Sequence, residues 1–275
     1  MRLHPPDLRR PAGAIAVLAT AAGLVLTGCG GSGSGSGSAG ANSGSTSAAG
    51  NSSSSAASNG GGGSTTTVSS GSAPFPVAVG NTWKYKTVIP GTSTDGRTVN
   101  KILSVQQVSS GQKVDMSAAI TTDGTTTHSS SYYIFEPDGA ISVPFNQFSS
   151  ANSGAQVELL SGGIFWPPES ALQSGQTTHS TLKIKYTISG VKKDVTAHIA
   201  VKGSGSQSVT VPAGTYNATV VNMTMSEKID GYSVTIDVRT WLANGVGPVK
   251  TEAILGGIAG NKVASEDELV SFHKG

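Results

Sequence analysis

The chain has a single cysteine, Cys29, and no charged residue between Arg10 and Lys84. One cysteine excludes an intramolecular disulfide framework and a zinc site built from cysteines. Aromatic residues are also sparse, at 5% of the 275 residues, and none of them precedes Phe75. A stretch without charges or aromatics has too little apolar surface to form a core, so we expect the folded part to begin near Phe75.

The charge of that folded part is balanced. From Phe75 onward there are 15 Lys and Arg against 15 Asp and Glu, so the formal charge of +2 comes from the first ten residues. A domain without a net positive field does not attract a phosphate backbone, which argues against nucleic-acid binding. About 200 residues are enough for a sizeable hydrophobic core.

Residues 1–28 are predicted to be a lipoprotein signal peptide. A short basic segment precedes an apolar run over 12–26, which at 15 residues is short for a span of the bilayer. The run ends in Leu26-Thr27-Gly28-Cys29, which resembles the lipobox of bacterial lipoproteins. The resemblance implies that a signal peptidase recognises the first three residues and cuts before a lipidated Cys29. The protein would then be exported and held by its lipid on the extracytoplasmic side of a bacterial membrane.

Residues 29–74 are predicted to be a disordered tether. After Cys29, the 45 residues from Gly30 to Pro74 are Gly, Ser, Ala, Thr and Asn with one Val and that final Pro. Such a chain has no apolar periodicity and little to bury, so ordering it would cost entropy without a compensating gain. As a Gly/Ser coil it spans about 35–40 Å from end to end. Its expected role is to hold a folded domain clear of the lipid surface.

Residues 75–275 are predicted to form one antiparallel β domain. Apolar residues alternate with polar ones, as in Trp83-Tyr85 and Leu182-Ile184, which is the period of a half-buried strand. Four Asp-Gly pairs mark tight hairpin turns, at 95–96, 123–124, 138–139 and 230–231. We therefore expect an all-β meander that forms a curved sheet, a half-barrel or a sandwich. Helix is expected only as a short turn over 168–174.

Three short motifs resemble a group of exported bacterial proteins. They are Val79-Gly80-Asn81-Thr82-Trp83-Lys84-Tyr85, Val211-Pro212-Ala213-Gly214-Thr215-Tyr216 and Gly245-Val246-Gly247-Pro248-Val249-Lys250. This succession resembles the TapB-like family, whose members are mostly uncharacterised lipoproteins. The resemblance implies a half-barrel of the LolA/LolB kind, wrapped around an apolar groove, and it implies no catalytic residue set. Trp83 is expected to be a core anchor.

The sequence contains no recognisable catalytic or metal-binding motif. There is no Gly-x-Ser-x-Gly elbow, and His128, His179, His198 and His273 lack the spacing of metal ligands. The acidic run over 266–268 is expected to be a solvated turn before a last strand over 269–272. No catalytic residue, metal or cofactor is therefore predicted.

These observations favour a binding or envelope-associated module, with an apolar ligand or an envelope protein as its partner. The candidate ligand contacts are Phe165 and Trp166 in a Pro-rich loop and Tyr232 beside a turn. Simple packing beneath a loop is the alternative for each of them. Two other classes stay open: an exported hydrolase, which needs paired carboxylates or a His–carboxylate pair in a cleft, and a purely structural surface module.

The lipid anchor can be tested directly. Substituting Cys29→Ala should release the protein from membranes, because the thiol that would carry the lipid is removed. Membrane fractionation and incorporation of labelled palmitate measure this. Unchanged fractionation, together with no palmitate in the unsubstituted protein, would contradict the lipoprotein assignment.

Overall fold

The computed structural model describes residues 74–88, 90, 95–143, 149–150, 155–188, 191–229, 232–256 and 262–275. The predicted signal peptide lies outside the described residues, as do Leu26, Thr27, Gly28 and Cys29 and nearly all of the tether. In the described part the strands are β1 (Thr82–Val88), β2 (Asp95–Val108), β3 (Gly111–Thr122), β4 (Thr125–Phe135), β5 (Ile141–Val143), β6 (Ser149–Ser150), β7 (Ala155–Gly162), β8 (Ile164–Trp166), β9 (Thr177–Ile188), β10 (Val191–Val211), β11 (Gly214–Ile229), β12 (Tyr232–Ala243), β13 (Gly247–Gly256) and β14 (Lys262–His273). A short helix, α1 (Glu169–Gln173), lies between β8 and β9.

These strands form one sheet in the order β6-β7-β9-β10-β11-β12-β13-β14-β1-β2-β3-β4-β5-β8. Neighbouring strands are antiparallel, and the sheet curls into a nearly closed barrel. The predicted all-β antiparallel fold with little helix is confirmed, and α1 falls within the segment expected to be helical. Because the strands form one curled sheet, the expected alternative of a two-sheet sandwich is wrong. Within the described residues, no helix has the length and apolar character needed to cross a membrane.

The curled sheet has two ends, which we call the Trp166 end and the Tyr232 end. The Trp166 end carries Phe75, the end of β8 at Trp166 and the β12–β13 turn at 244–246. The Tyr232 end carries the start of β12 and the β3–β4 turn at Asp123 and Gly124. Strand β12 runs from the Tyr232 end to the Trp166 end.

The core lies on the inner face of the curled sheet. On β1, Trp83 and Tyr85 are buried while Lys84 and Lys86 are exposed, which is the alternation expected of a strand with one wet face. Burying each large apolar side chain stabilises the fold by about 1.5–3 kcal/mol. Trp83 is only 1% exposed, as expected for a core anchor.

The three motifs that carry the family resemblance lie close together at the Trp166 end. The indole N–H of Trp83 donates to the carbonyl of Val246 at 2.6 Å, and the Tyr85 hydroxyl donates to the carbonyl of Pro248 at 3.0 Å. The backbone N–H of Ala213, at the tip of the β10–β11 hairpin, donates to the carbonyl of Leu269 at 2.9 Å. The first and third motifs therefore connect β1 to the β12–β13 turn and the start of β13, and the second connects the β10–β11 hairpin to β14, so the role of all three is structural.

The acidic run over 266–268 is not a turn, and that expectation is wrong. It lies inside β14, where Glu266 is opposite Glu252 and Glu268 is opposite both Lys86 and Lys250. The neighbouring lysines offset the repulsion between carboxylates, so the segment can pair as a strand.

Helix α1 packs closely against β10 at Gly203. A Cβ atom added at this glycine would lie 1.8 Å from the carbonyl oxygen of Leu172, whose side chain is buried. Only a residue without a side chain fits this approach.

Gly203→Ala should therefore destabilise the domain by about 2 kcal/mol or more, because α1 would have to move away from β10. Gly163→Ala is the matched control, since its added Cβ would meet nothing closer than 3.7 Å. Chemical denaturation of the two variants measures the difference. Equal stabilities would contradict the close packing of α1.

Candidate functional site

An apolar cavity opens at the Trp166 end of the interior. Its volume is about 20 Å³, which is room for roughly one water-sized molecule. The residues that line it come from β3, β4, β5, β8 and the segment before β1: Phe75, Met116, Tyr133, Phe135, Ile141, Val143 and Trp166. A larger apolar ligand would therefore enter only if some of these side chains moved.

The local sequence explains why Trp166 faces this cavity. Pro167 and Pro168 cannot continue a strand ladder, so β8 ends at Trp166. In β8, Ile164 and Trp166 are buried and line up with Val143 and Ile141 on β5. Trp166 is 3% exposed.

The other two predicted contacts lie elsewhere. Phe165 is half-buried and sits on the opposite face of β8, across from Ser142. Tyr232 begins β12 opposite Ile229, at the far end of the sheet. The structure therefore does not bring Phe165, Trp166 and Tyr232 into one site.

Sequence reasoning missed the other lining residues. Met116, Tyr133 and Val143 occupy ordinary inward strand positions, and nothing in their local sequence separates a cavity wall from a packed core. Phe75 did carry a signal, because it is the first aromatic residue of the chain. Its ring packs 5.1 Å from Trp83 and 5.4 Å from Phe135 between ring centroids.

A row of polar side chains crosses the inner face farther from the cavity. Thr240 is directly opposite Thr251, Thr251 is opposite Asp267, and Asp267 is opposite Thr87. These four residues are called the lumen row below. The Thr87 hydroxyl donates to the Asp267 carboxylate. Thr240 and Thr251 are 0% and 3% exposed, and within the described residues neither hydroxyl has a hydrogen-bond partner.

Glu227 is the most unusual group of the interior. It is 5% exposed, and neither carboxylate oxygen has a hydrogen-bond partner in the described part of the chain. Burial raises the pKa of this carboxyl from 4.5 to about 7. The side chain lies opposite Ala197 on β10, two residues before β11 ends at the Tyr232 end.

Tyr85 lies between the cavity and the lumen row along β1. Burial raises the pKa of its hydroxyl well above the ordinary value of 10, and the nearby Asp267 and Tyr133 raise it further. The hydroxyl therefore stays protonated and serves as the donor to Pro248.

A second cluster of charges occupies the outer face of β13 and β14. The ammonium group of Lys250 lies 3.2 Å from Glu252 and 2.9 Å from Glu266, and 5.4 Å from the centroid of the Trp241 ring. Burial raises the pKa of Glu268, and a hydrogen bond with Glu266 raises it further. Paired carboxylates are what the hydrolase hypothesis needs, but this pair lies on the outer face and not in a cleft. Among the described residues, no three metal-ligating side chains form a cluster.

Comparison with known proteins identifies the relatives of this fold. The family model described as DUF3108-like matches residues 78–263, more than half of the chain. The chain belongs to the DUF3108-like family. The comparison with curated proteins finds no match for this DUF3108-like chain.

Two solved structures are similar to the DUF3108-like domain. One is a predicted exported protein with a YmcC-like fold from Bacteroides fragilis, with 16% identity and a TM-score of 0.53, covering 74% of this chain and 100% of that one. The other is a predicted lipoprotein from Parabacteroides distasonis, with 16% identity and a TM-score of 0.53, covering 74% of this chain and 99% of that one. At this identity the likeness shows a shared fold.

The raised pKa of Glu227 predicts how the stability of the fold depends on pH. Because the folded state holds this proton more tightly than the unfolded state, the contribution of Glu227 to stability is full below pH 4.5 and is lost as the pH rises to about 7. The loss should be roughly 3 kcal/mol. Glu227→Gln should lack this loss, because its amide does not ionise. Denaturant titrations between pH 4 and about 8 measure the difference between the two proteins.

Glu158→Gln is the matched control, since the Glu158 side chain is 67% exposed. It should keep the pH profile of the unsubstituted protein. A Glu227→Gln profile with the same slope would show that this carboxyl is solvated in the folded state.

Proposed function

We propose that this protein is an exported, lipid-anchored β domain that binds an apolar ligand in its interior at the Trp166 end. The lipid would be attached at Cys29, after removal of residues 1–28. Residues 29–74 would serve as the tether and residues 75–275 as the binding domain. The two proteins of similar fold, one described as exported and one as a lipoprotein, support the location.

The width of the sheet supports an interior ligand. A closed barrel of about eight strands is just filled by its own side chains, and wider barrels enclose cavities. This sheet has 14 strands in its described part, although several at its edges are short. The sheet is therefore wider than a barrel that its own side chains just fill, although a ligand larger than the cavity has to displace some of the lining side chains.

The apolar cavity is the observation that carries the proposal. Its wall is aliphatic and aromatic, and it lies near one edge of the sheet, which is formed by β5 and β8. An edge can separate from its neighbours more easily than the centre of a sheet, because it has hydrogen bonds on one side only. An apolar chain could enter there by displacing the short strand β8.

An envelope protein or polymer is the second candidate partner. Leu103 on β2 and Val270 on β14 are 50% and 44% exposed, and both sit at irregularities in strand pairing beside β1. Exposed apolar residues of this kind suit a protein contact. The apolar ligand is the better supported of the two candidates, because the cavity would enclose a ligand, whereas Leu103 and Val270 offer only an exposed surface.

Photo-crosslinking in membranes tests the apolar ligand. Membranes carrying the full-length protein are exposed to a photoreactive long-chain alkane, and the labelled peptides are mapped by mass spectrometry. We expect labelling at the segments that contain Ile141, Val143 and Trp166. Labelling confined to residues before Phe75 would contradict the proposal.

Two variants make the test specific. Val143→Phe fills the cavity and should reduce labelling several-fold, whereas Ile141→Ala enlarges it and should preserve or increase labelling. Val263→Phe is the matched control, because Val263 is 38% exposed and does not line the cavity. If Val143→Phe and Val263→Phe label alike, the alkane binds somewhere else.

A further inference from the structure

Phe75 differs from the other residues that line the apolar cavity. Of the seven lining residues in the described part of the chain, the other six belong to strands β3, β4, β5 and β8, whereas Phe75 precedes β1 and lies in no strand. Its neighbours are Pro74 and Pro76, and a proline has no backbone N–H with which to extend a strand ladder. The ring of Phe75 is therefore its main attachment to the domain.

The backbone is fixed immediately after Phe75. The buried Asn81 side chain donates to the carbonyl of Pro76 at 3.0 Å and accepts from the backbone N–H of Gly275 at 3.0 Å. Among the described residues, no hydrogen bond involves Phe75 itself. Withdrawing Phe75 would therefore break no hydrogen bond there and leave Pro76 in place, whereas displacing β8 would break its pairing with β5.

Apolar contacts hold the Phe75 ring in place. Its centroid lies 5.1 Å from the centroid of the Trp83 ring and 5.4 Å from that of the Phe135 ring. Gly247 leaves room for it, since a Cβ atom added at this glycine would lie 3.2 Å from the ring. Phe75 is only partly buried, while Trp83 is 1% exposed. The ring therefore shields Trp83 from solvent, and its withdrawal would uncover an apolar surface.

The size of the cavity shows what the Phe75 ring excludes. The present volume of about 20 Å³ holds one water-sized molecule. An apolar cavity that binds benzene, which has the size of a Phe ring, measures about 150 Å³. Withdrawing Phe75 adds a space of the size of its ring to the existing cavity. The remaining wall stays apolar, because its other residues are aliphatic and aromatic.

We propose that Phe75 is a displaceable plug of the ligand site, and that the apolar ligand binds in the place of its ring. The inference rests on the proposed apolar ligand and states how that ligand obtains its space. In the free protein the Phe75 ring covers Trp83 and Phe135, and in the complex a hydrocarbon chain contacts them instead. A long alkyl chain buries more apolar surface than the partly buried ring gives up, so the exchange favours the ligand.

The plug lowers the apparent affinity of the site. Only molecules whose Phe75 ring is withdrawn can bind, so the affinity is reduced by the fraction of molecules in that state. A minor conformation that lies a few kcal/mol above the major one is populated at about 0.1–10%. Removing the plug should therefore strengthen binding about tenfold or more.

Phe75→Ala removes the plug and tests the proposal. Membranes carrying the full-length protein are titrated with the photoreactive long-chain alkane, and labelling of the segments that contain Ile141, Val143 and Trp166 is measured at each concentration. We expect Phe75→Ala to reach half-maximal labelling at an alkane concentration about tenfold or more below that of the unsubstituted protein. Equal half-maximal concentrations would overturn the proposal.

Phe272→Ala is the matched control, because the Phe272 ring also lies 5.1 Å from the Trp83 ring but does not line the cavity. It should label like the unsubstituted protein. An equal gain in Phe272→Ala would show that looser packing around Trp83, and not an emptied site, raises the labelling. In the double variant with Phe75→Ala and Val143→Phe the gain should disappear, because the larger side chain at 143 refills the space. A gain that persists there would come from unspecific labelling and would overturn the plug.

The same titration separates the plug from the proposed function. If the unsubstituted protein is labelled at the cavity and Phe75→Ala is labelled no better, the ligand site stands and the plug is wrong. If neither protein is labelled there, both are wrong, because removing the plug should have opened the site. Labelling of Phe75→Ala alone would support the plug and contradict alkane binding by the unsubstituted protein.

Discussion

The hydrogen bond from the Trp83 indole to the Val246 carbonyl holds the Trp166 end of the sheet in its curled shape. Trp83 belongs to β1, and Val246 lies in the turn between β12 and β13, so the bond passes over β14. The β13–β14 ladder ends at Lys250, which leaves the strands apart at this end. Trp83 fills that gap with Phe272 stacked on its ring, and Phe75 packs against it. The cavity depends on this arrangement, because Phe75 forms part of its wall.

The inner face of β1 shows how one interior acquires two chemistries. Trp83, Tyr85 and Thr87 face inward in that order, and they pass from a large aromatic ring to a small hydroxyl. Successive inward positions lie about 6.6 Å apart along a strand, so the lining changes over roughly 13 Å. The aromatic end is packed around an apolar cavity, while the lumen row contains the Thr240 and Thr251 hydroxyls, which lack hydrogen-bond partners among the described residues.

Much of this architecture could be read from the sequence. The alternation of apolar and polar residues predicted antiparallel strands, and the Asp123-Gly124 pair forms the β3–β4 turn with φ angles of 49° and 75°. The prediction was less successful where it needed three-dimensional information. The acidic run over 266–268 read as a turn because the lysines that face it, such as Lys250, come from other strands. Phe165 and Trp166 looked equivalent until the pairing of β8 showed that they face opposite sides.

The sequence by itself determined the alternation of apolar and polar residues and the charge balance from Phe75 onward, since each depends only on residue type and order. Tertiary structure decided which inward residues meet. Thr87 and Asp267 are 180 positions apart and bond only because β1 pairs with β14. Glu227 looks like an ordinary surface residue in its local sequence, and it is buried because its register with Ala197 turns it inward. Strand order and register set these contacts, and neither is encoded in the spacing of residues along one strand.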